Sequence, residues 1–441
     1  MTATAPPTLG LDFGTTNTVL ARPTTDGRIE AVPFRHDNTA FTAFRSVLAF
    51  WQEPGDEGLA PAFEAGPWAI DRFIAEPLDT RFLQSFKTFA ASKAFQNTYI
   101  DRRPYAFEDL LAAFFARYRS HAAGSLDTLP KRLVLGRPVT FAGATPDAAL
   151  AARRYEAAMS RFGFEEFHHV YEPVAAAFYF AERLSADATV LVADFGGGTS
   201  DFSLIRFEID PKAPKSKRVV AHALGQSGVG IAGDTFDYRI IDNVVSPRLG
   251  KGTQYKSWGK ILDFPNHYFT NFARWNQLSI MKTPKMLAEL KALARESLAP
   301  EKVQSFIDFI EADVGYPLYR VVSETKMQLS NVNEARLHFS ARGTTIDRLI
   351  KRTDFEAWIA EDLARIDGAV DEALQKAGIA DSAVDKVFLT GGTSLVPAVH
   401  EMFARRFGEP RIETGERLLS IAYGLALIGQ QEDISAWSVA A

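Results

Sequence analysis

The stretch Val190-Leu-Val-Ala-Asp-Phe-Gly-Gly-Gly-Thr-Ser-Asp-Phe-Ser-Leu-Ile-Arg206 sets two apolar, β-branched runs on either side of three consecutive glycines. Such a pattern predicts strand, tight turn, strand. Asp194 closes the first strand, and Thr199 and Asp201 follow the turn with a hydroxyl and a second carboxylate. Lacking Cβ atoms, Gly196, Gly197 and Gly198 let backbone N–H groups approach a ligand closely. The turn has the composition of a phosphate cradle beside a carboxylate suited to hydrated Mg²⁺, although an ordinary glycine-rich hairpin would read the same.

Leu9-Gly-Leu-Asp-Phe-Gly-Thr-Thr-Asn-Thr-Val-Leu-Ala21 repeats the design. Asp12-Phe13-Gly14 matches Asp194-Phe195-Gly196 residue for residue, with Thr15, Thr16 and Asn17 filling the turn. Self-similarity at so long a spacing predicts two related halves rather than a short-period solenoid. A ligand held between two such hairpins would have its phosphates gripped from both sides.

These segments resemble the two phosphate segments of the actin, hexokinase and heat-shock chaperone ATPase superfamily. The nearest likeness is to the nucleotide-binding domain of DnaK-type heat-shock chaperones, and within that group to the short YegD-like members. It runs from about Leu9 to about Gly429. The resemblance implies an α/β protein with the actin-like ATPase fold: two ribonuclease-H-like lobes with mixed sheets around a central nucleotide cleft. Lobe I is expected over 1–187, completed by 397–441, and lobe II over 188–396, with no C-terminal peptide-binding domain.

By the same resemblance, Asp12 and Asp194 would hold Mg²⁺ through water, Glu172 would reach it through water, and Asp201 is a further candidate. Thr15, Thr16 and Thr199 would bind phosphate oxygens, beside Gly14 and Asn17 in the first turn and Gly196–Gly198 in the second. Lys87, in the largely apolar segment Arg81–Phe89, matches a lysine that reaches the γ-phosphate and the attacking water; a surface lysine on a helix is the alternative. Glu172 opens Glu172-Pro-Val-Ala-Ala-Ala177, which resembles the family's connector between lobes, although a glutamate capping a helix would also account for it. Lys87, Glu172, Asp194 and Thr199 are thus the candidate catalytic set. Gly233 and Asp234 would touch the outer phosphates, in a segment with Ala232 where the family has glycine. Lys326 and Ser330 fall where the family places ribose and adenine contacts. Gly391, Gly392, Thr393 and Leu395 lie in a strand, Gly-Gly turn, helix pattern that resembles its adenosine motif. Met327 and Leu395 stand where large chaperones carry two base-sandwiching arginines, which leaves an apolar slot.

Other patterns read as structure. Phe107–His121 has helical periodicity. Thr145-Pro146 predicts a helix start and Gly163 its stop. The pair His168-His169 looks metal-like, but neighbours on a strand face opposite ways. The aromatic run from Thr253 to Trp275 reads as packing of an outer subdomain rather than a binding surface. Thr353–Glu356 predicts a capping box opening a long helix that ends near Gly378.

Composition narrows the function. The absence of cysteine excludes disulfides, thiolate zinc sites and cysteine nucleophiles. A net charge of −5 gives no argument for nucleic acid. No apolar run reaches the roughly 18 residues of a membrane span, and no signal peptide is legible, so the cytoplasm is expected. The expected function is a weak, Mg²⁺-dependent ATPase of chaperone type, with ATP and ADP as ligands and any protein partner unassigned. A nucleotide-dependent partner-binding module with negligible turnover stays open. So does a small-molecule kinase of the superfamily, for which no sugar-binding aspartate can be placed.

Overall fold

The computed structural model describes residues 8–24, 26–53, 60–77, 79–143, 145–210, 212, 219–274, 281, 283–312, 314–414, 419–431 and 433–439 of the 441-residue chain. Two sheets of one design organise it. The first has the path β5-β4-β1-β2-β3, from β1 (Thr8–Phe13), β2 (Asn17–Pro23), β3 (Ile29–Ala31), β4 (Arg132–Arg137) and β5 (Glu166–Tyr171). The second has the path β10-β9-β6-β7-β8, from β6 (Ala188–Phe195), β7 (Ser200–Ile209), β8 (Val219–Val229), β9 (Lys386–Thr390) and β10 (Ile412–Thr414). In each, the glycine-turn hairpin and a third strand run antiparallel, while two later strands join the first hairpin strand in parallel. The duplication read from the two Asp-Phe-Gly segments is therefore a duplication of whole sheets. Every residue of β6 is buried, as befits a central strand covered on both faces.

Seven helices complete the parts used below: α1 (Phe107–His121), α2 (Ala148–Ser160), α3 (Glu172–Ala181), α4 (Gly233–Ile240), α5 (Gly315–Leu329), α6 (Arg352–Ala377) and α7 (Ser420–Ile428). Val134 and Val170 of the first sheet and Val190, Val192 and Phe388 of the second share one core with α3 and α7. The alanines and glycines of these helices permit a very close approach: a Cβ on Gly424 would lie 1.7 Å from the Ala175 carbonyl oxygen. Helix α7 also covers β1, where a Cβ on Gly10 would meet Ala426 N at 2.6 Å. Thr8 Oγ1 donates to the Gly429 carbonyl at 3.3 Å, joining residues 421 positions apart.

The chain forms two compact units, one from Met1–Ala232, Arg365–Ser394 and Val399–Ala441, the other from Gly233–Ala364 and Leu395–Ala398. The first holds both sheets. The second holds α4, α5 and two antiparallel hairpins, Gln254–Ser257 with Lys260–Asp263 and Glu334–Ala341 with Thr344–Lys351. Its aromatic run packs inward through Phe264, Tyr268, Phe269 and Phe272, whereas Trp258 at a hairpin tip is fully exposed; Trp275 lies outside the described residues. No helix among the described residues is long and apolar enough to cross a membrane.

Two expectations shift in detail. Helix α2 starts at Ala148, not at Thr145-Pro146, because the Asp147 carboxylate takes the Leu150 amide as N-cap. Helix α6 begins one residue ahead of Thr353 and stops before Gly378, whose φ of +67° suits a glycine terminator. His168 and His169 bond to different partners, Ser438 and Glu166 for the first and Glu156 for the second, as opposite faces of β5 require.

Candidate functional site

The two glycine turns are built alike. After β1, Gly14 N–H donates to the Asn17 carbonyl at 3.0 Å; after β6, Gly196 N–H donates to the Thr199 carbonyl at 2.9 Å. A Cβ on Gly14 would lie 2.3 Å from the Asn17 carbonyl oxygen, so the first turn accepts only glycine there. Asp12 and Asp194 each stand two residues ahead of their turn, and Asp194 pairs across the hairpin with Asp201. The Thr16 carbonyl takes Ser46 N–H at 2.9 Å. The side chains of Thr15, Thr16, Asn17 and Thr199 stay partly open to solvent.

Lys87 lies on a short 3-10 turn, Phe86–Phe89, and is buried. Its Nζ donates to Glu172 Oε1 at 2.7 Å, so it is not a surface lysine. Glu172 is the first residue of α3, where the helix N-terminus favours its charge. Asp201 accepts Thr140 N–H at 3.1 Å and a bond from the Thr199 hydroxyl. Lys87 thus pairs with Glu172 and feels Asp12 and Asp194, while Asp201 neighbours Glu172 and Asp194.

The charges respond accordingly. Burial first, then the Glu172 carboxylate, raises the Asp12 carboxyl to about 7 against the opposing pull of Lys87. Burial and Glu172 raise Asp201 to about 7 as well, despite hydrogen bonds from Thr140, Thr199 and Val139. Asp194 is held well above the usual carboxylate range by burial, then by Glu172, Asp12 and Asp201. Burial alone would lower the Lys87 ammonium, but Glu172, Tyr155 and Asp12 more than offset it and hold the group above its ordinary value. The donors are hard oxygens in excess of positive charge, a set that fits a hydrated divalent cation of the Mg²⁺ kind.

A pH dependence follows. Between the ordinary aspartate value of 3.8 and about 7 the folded protein holds protons on Asp12 and Asp201 that the unfolded chain has released. Their contribution to stability therefore falls as pH rises through that window. A cation that favours the charged forms reverses the loss. Thermal melts should show a larger stabilisation by Mg²⁺ at about pH 7.5 than at about pH 5; equal shifts would place the cation elsewhere.

The turn after β9 adjoins the second glycine turn. Gly391 has φ of +83° and comes so near β6 that a Cβ would lie 2.0 Å from the Phe195 carbonyl oxygen. Thr393 Oγ1 donates to the Gly196 carbonyl at 3.4 Å, and Gly392 opens the 3-10 turn that holds Thr393. In the second unit, Lys326 Nζ donates to the Gly233 carbonyl at 3.0 Å and pairs with Asp237 at 2.8 Å. Asp234 lies in the first turn of α4, and Ser330 caps α5. Met327 and Leu395 are exposed, at 61% and 41%. Two residues of the cluster carry no sequence signal. Thr140 reaches Asp201 through its main chain, and Tyr155 buries a hydroxyl, without a hydrogen-bond partner among the described residues, where it feels Lys87.

Comparison with known proteins gives one consistent answer. Residues 307–432 match the family described as Hsp70 protein. Over 424 residues, 95% of the chain, it is 24% identical to proteins named chaperone protein DnaK from Thermotoga petrophila, Thermotoga sp. strain RQ2 and Thermotoga neapolitana. The chain spans 58% of the length of these relatives.

Proposed function

We propose, from the premise that the chain carries a DnaK-type Hsp70 domain with the actin-like ATPase fold, that it binds ATP and ADP with Mg²⁺ and hydrolyses ATP slowly. One observation carries the reading: the buried Lys87–Glu172 ion pair with the buried Asp194 and Asp201 and the half-buried Asp12 in its electrostatic neighbourhood, set beside two matching glycine turns. Asp12 and Asp194 are the residues that would hold Mg²⁺ through water, with Glu172 and Asp201 in support. The cation would supply charge neutralisation on the phosphates. Backbone N–H groups of Gly197 and Gly198, with the hydroxyls of Thr15, Thr16 and Thr199, bind phosphate oxygens, while Gly14 and Gly196, whose own N–H groups close the two turns, let the phosphates approach closely. Glu172 fixes the Lys87 ammonium by their ion pair, and Lys87 with Glu172 orients the attacking water. Positioning and charge suffice for transfer to water, so no covalent nucleophile is needed. Gly233, Asp234, Lys326, Ser330, Gly391, Gly392, Thr393 and Leu395 are proposed as nucleotide contacts on the family resemblance.

ATP turnover with and without Mg²⁺, and with and without sugar acceptors, tests the proposal. Release of phosphate that depends on Mg²⁺ and ignores the acceptor is expected. Tight binding without turnover would favour the partner-binding module, and acceptor-dependent turnover the kinase.

The base slot gives a sharper expectation. A stacked, desolvated guanidinium contributes on the order of 1–2 kcal/mol, and about 1.4 kcal/mol is tenfold in affinity. With Met327 and Leu395 in place of both arginines, the loss of about 2–4 kcal/mol should weaken nucleotide binding relative to a large chaperone by about one and a half to three orders of magnitude, less whatever the apolar contacts of Met327 and Leu395 restore. Both side chains are exposed, so Met327→Arg with Leu395→Arg should be tolerated and should tighten ATP more than GTP. Calorimetric titration of both nucleotides decides it: equal tightening would rule out a base-stacking role.

A further inference from the structure

The segment that delivers Lys87 has almost no regular structure of its own. It leaves Ser85 at φ of +44°, makes a single 3-10 turn over Phe86–Phe89, and continues as turns to Phe95. Its front is anchored by Phe86, fully buried, whose ring lies 5.3 Å from that of Phe13, the residue after Asp12. Its rear is anchored by one side chain. Arg154 of α2, itself buried, donates from Nη1 to the carbonyls of Phe89, Ala90 and Ser92 at 2.9, 3.0 and 3.2 Å, and from Nη2 to that of Phe95 at 2.6 Å. The carbonyl between them, Ala91, takes Asp147 N–H at 2.9 Å. Among the described residues the guanidinium has carboxylate company only in Glu108, 3.9 Å from Nε. A planar cation with five fixed donors suits this bundle of carbonyls, which a point-charged ammonium could not engage together.

We infer that Arg154 is the positioning residue for Lys87. By gathering the carbonyls of 89–95 onto α2 it fixes the turn that begins at Ser85, and so sets where the ammonium stands relative to Glu172, Asp12 and Asp194. It acts through the Lys87 backbone and touches neither phosphate nor cation. Next to it on α2, Tyr155 packs edge-on to Phe13 with ring centres 6.1 Å apart, so α2 braces the glycine-turn strand and the lysine turn with consecutive residues. The inference rests on the proposed ATPase reading.

The test is a double-mutant cycle on ATP turnover in the full chain, with the ADP–Mg²⁺ dissociation constant measured beside each rate. Arg154→Lys keeps the charge but loses the fork, and Arg154→Gln removes the charge while keeping two donors; gel filtration and melting establish which is folded. In a folded variant kcat should fall about tenfold or more with ADP affinity unchanged, since small misplacement of a transition-state contact costs rate rather than binding. In a Lys87→Ala background the same substitution should leave kcat unchanged, because the group it positions has gone. A scaffold residue with no bearing on Lys87 would instead act equally in both backgrounds, and that result, or a wild-type rate in either variant, overturns the inference alone. A wild-type rate in Lys87→Ala overturns the ATPase role of the lysine first. The wild type supplies a check that needs no variant: the amides of Thr88, Ala90, Ser92 and Phe95 should exchange as slowly as those of α2. Fast exchange there would also overturn it.

Discussion

Asp194→Asn should reduce Mg²⁺-dependent ATP hydrolysis by about a thousandfold or more while leaving the protein folded, and melting at or above the wild-type temperature. The two halves of that result have one cause. Asp194 is 4% exposed and faces Asp201 across the hairpin, with Asp12 and Glu172 near enough to raise its carboxyl far above the ordinary range. Such a group is a burden on the free protein and an asset only when a cation is present. The amide fills the same space without the charge, so repulsion is relieved and the cation loses an anchor. Steady-state hydrolysis and thermal melting, each with and without Mg²⁺, measure both effects. Wild-type turnover in the variant would remove Asp194 from the proposed machinery.

Lys87→Ala should also lose rate, with the opposite effect on stability. Hydrolysis should slow by about a hundredfold or more with nucleotide binding largely kept, the pattern of a contact made in the transition state. The fold should suffer, however, because Lys87 is the ammonium that pairs with Glu172 at 2.7 Å inside a set of carboxylates. Breaking a buried pair from one side costs about 3–5 kcal/mol, mostly from the partner left behind. Adding Glu172→Gln should restore much of the melting temperature and none of the rate. Urea unfolding of wild type, single and double variants separates the two roles. A double variant as unstable as Lys87→Ala would mean that the lysine packs rather than balances charge.

How much of this was legible in the chain depends on where each signal lies. The glycine turns announce themselves because their chemistry is local: a strand end, a carboxylate and residues without Cβ sit next to one another in sequence. Helix α1 was readable to its ends, Phe107 and His121, because a buried stripe imposes its period on the residues themselves. Lys87 was legible only through its resemblance to a family lysine; its burial comes from Phe86 meeting Phe13 and from α2, neither of which any short pattern reports. Arg154 left no trace at all. Its partners are main-chain carbonyls, which are the same in every residue, so nothing in the identity of 89–95 marks the contact. Thr140 escapes for the same reason, since it reaches Asp201 with its backbone N–H. The start of α2 lies two residues beyond the expected one because Thr145 and Asp147 are both good caps and only the Leu150 amide decides between them.

The contact between Thr8 and Gly429, and the seating of Ala426 against Gly10, have a consequence for the order in which the molecule is made. Strand β1 is covered by a helix translated more than four hundred residues later. At about 5–20 residues per second that delay is roughly 20–80 s. Strand β6 waits in the same way for β9, since Val190 pairs with Lys386. Until residues 386–428 have emerged, the first sheet lacks the helix that covers β1 and the second lacks two of its five strands. Closing contacts of such long range is slow in itself and exposes the nascent chain to aggregation.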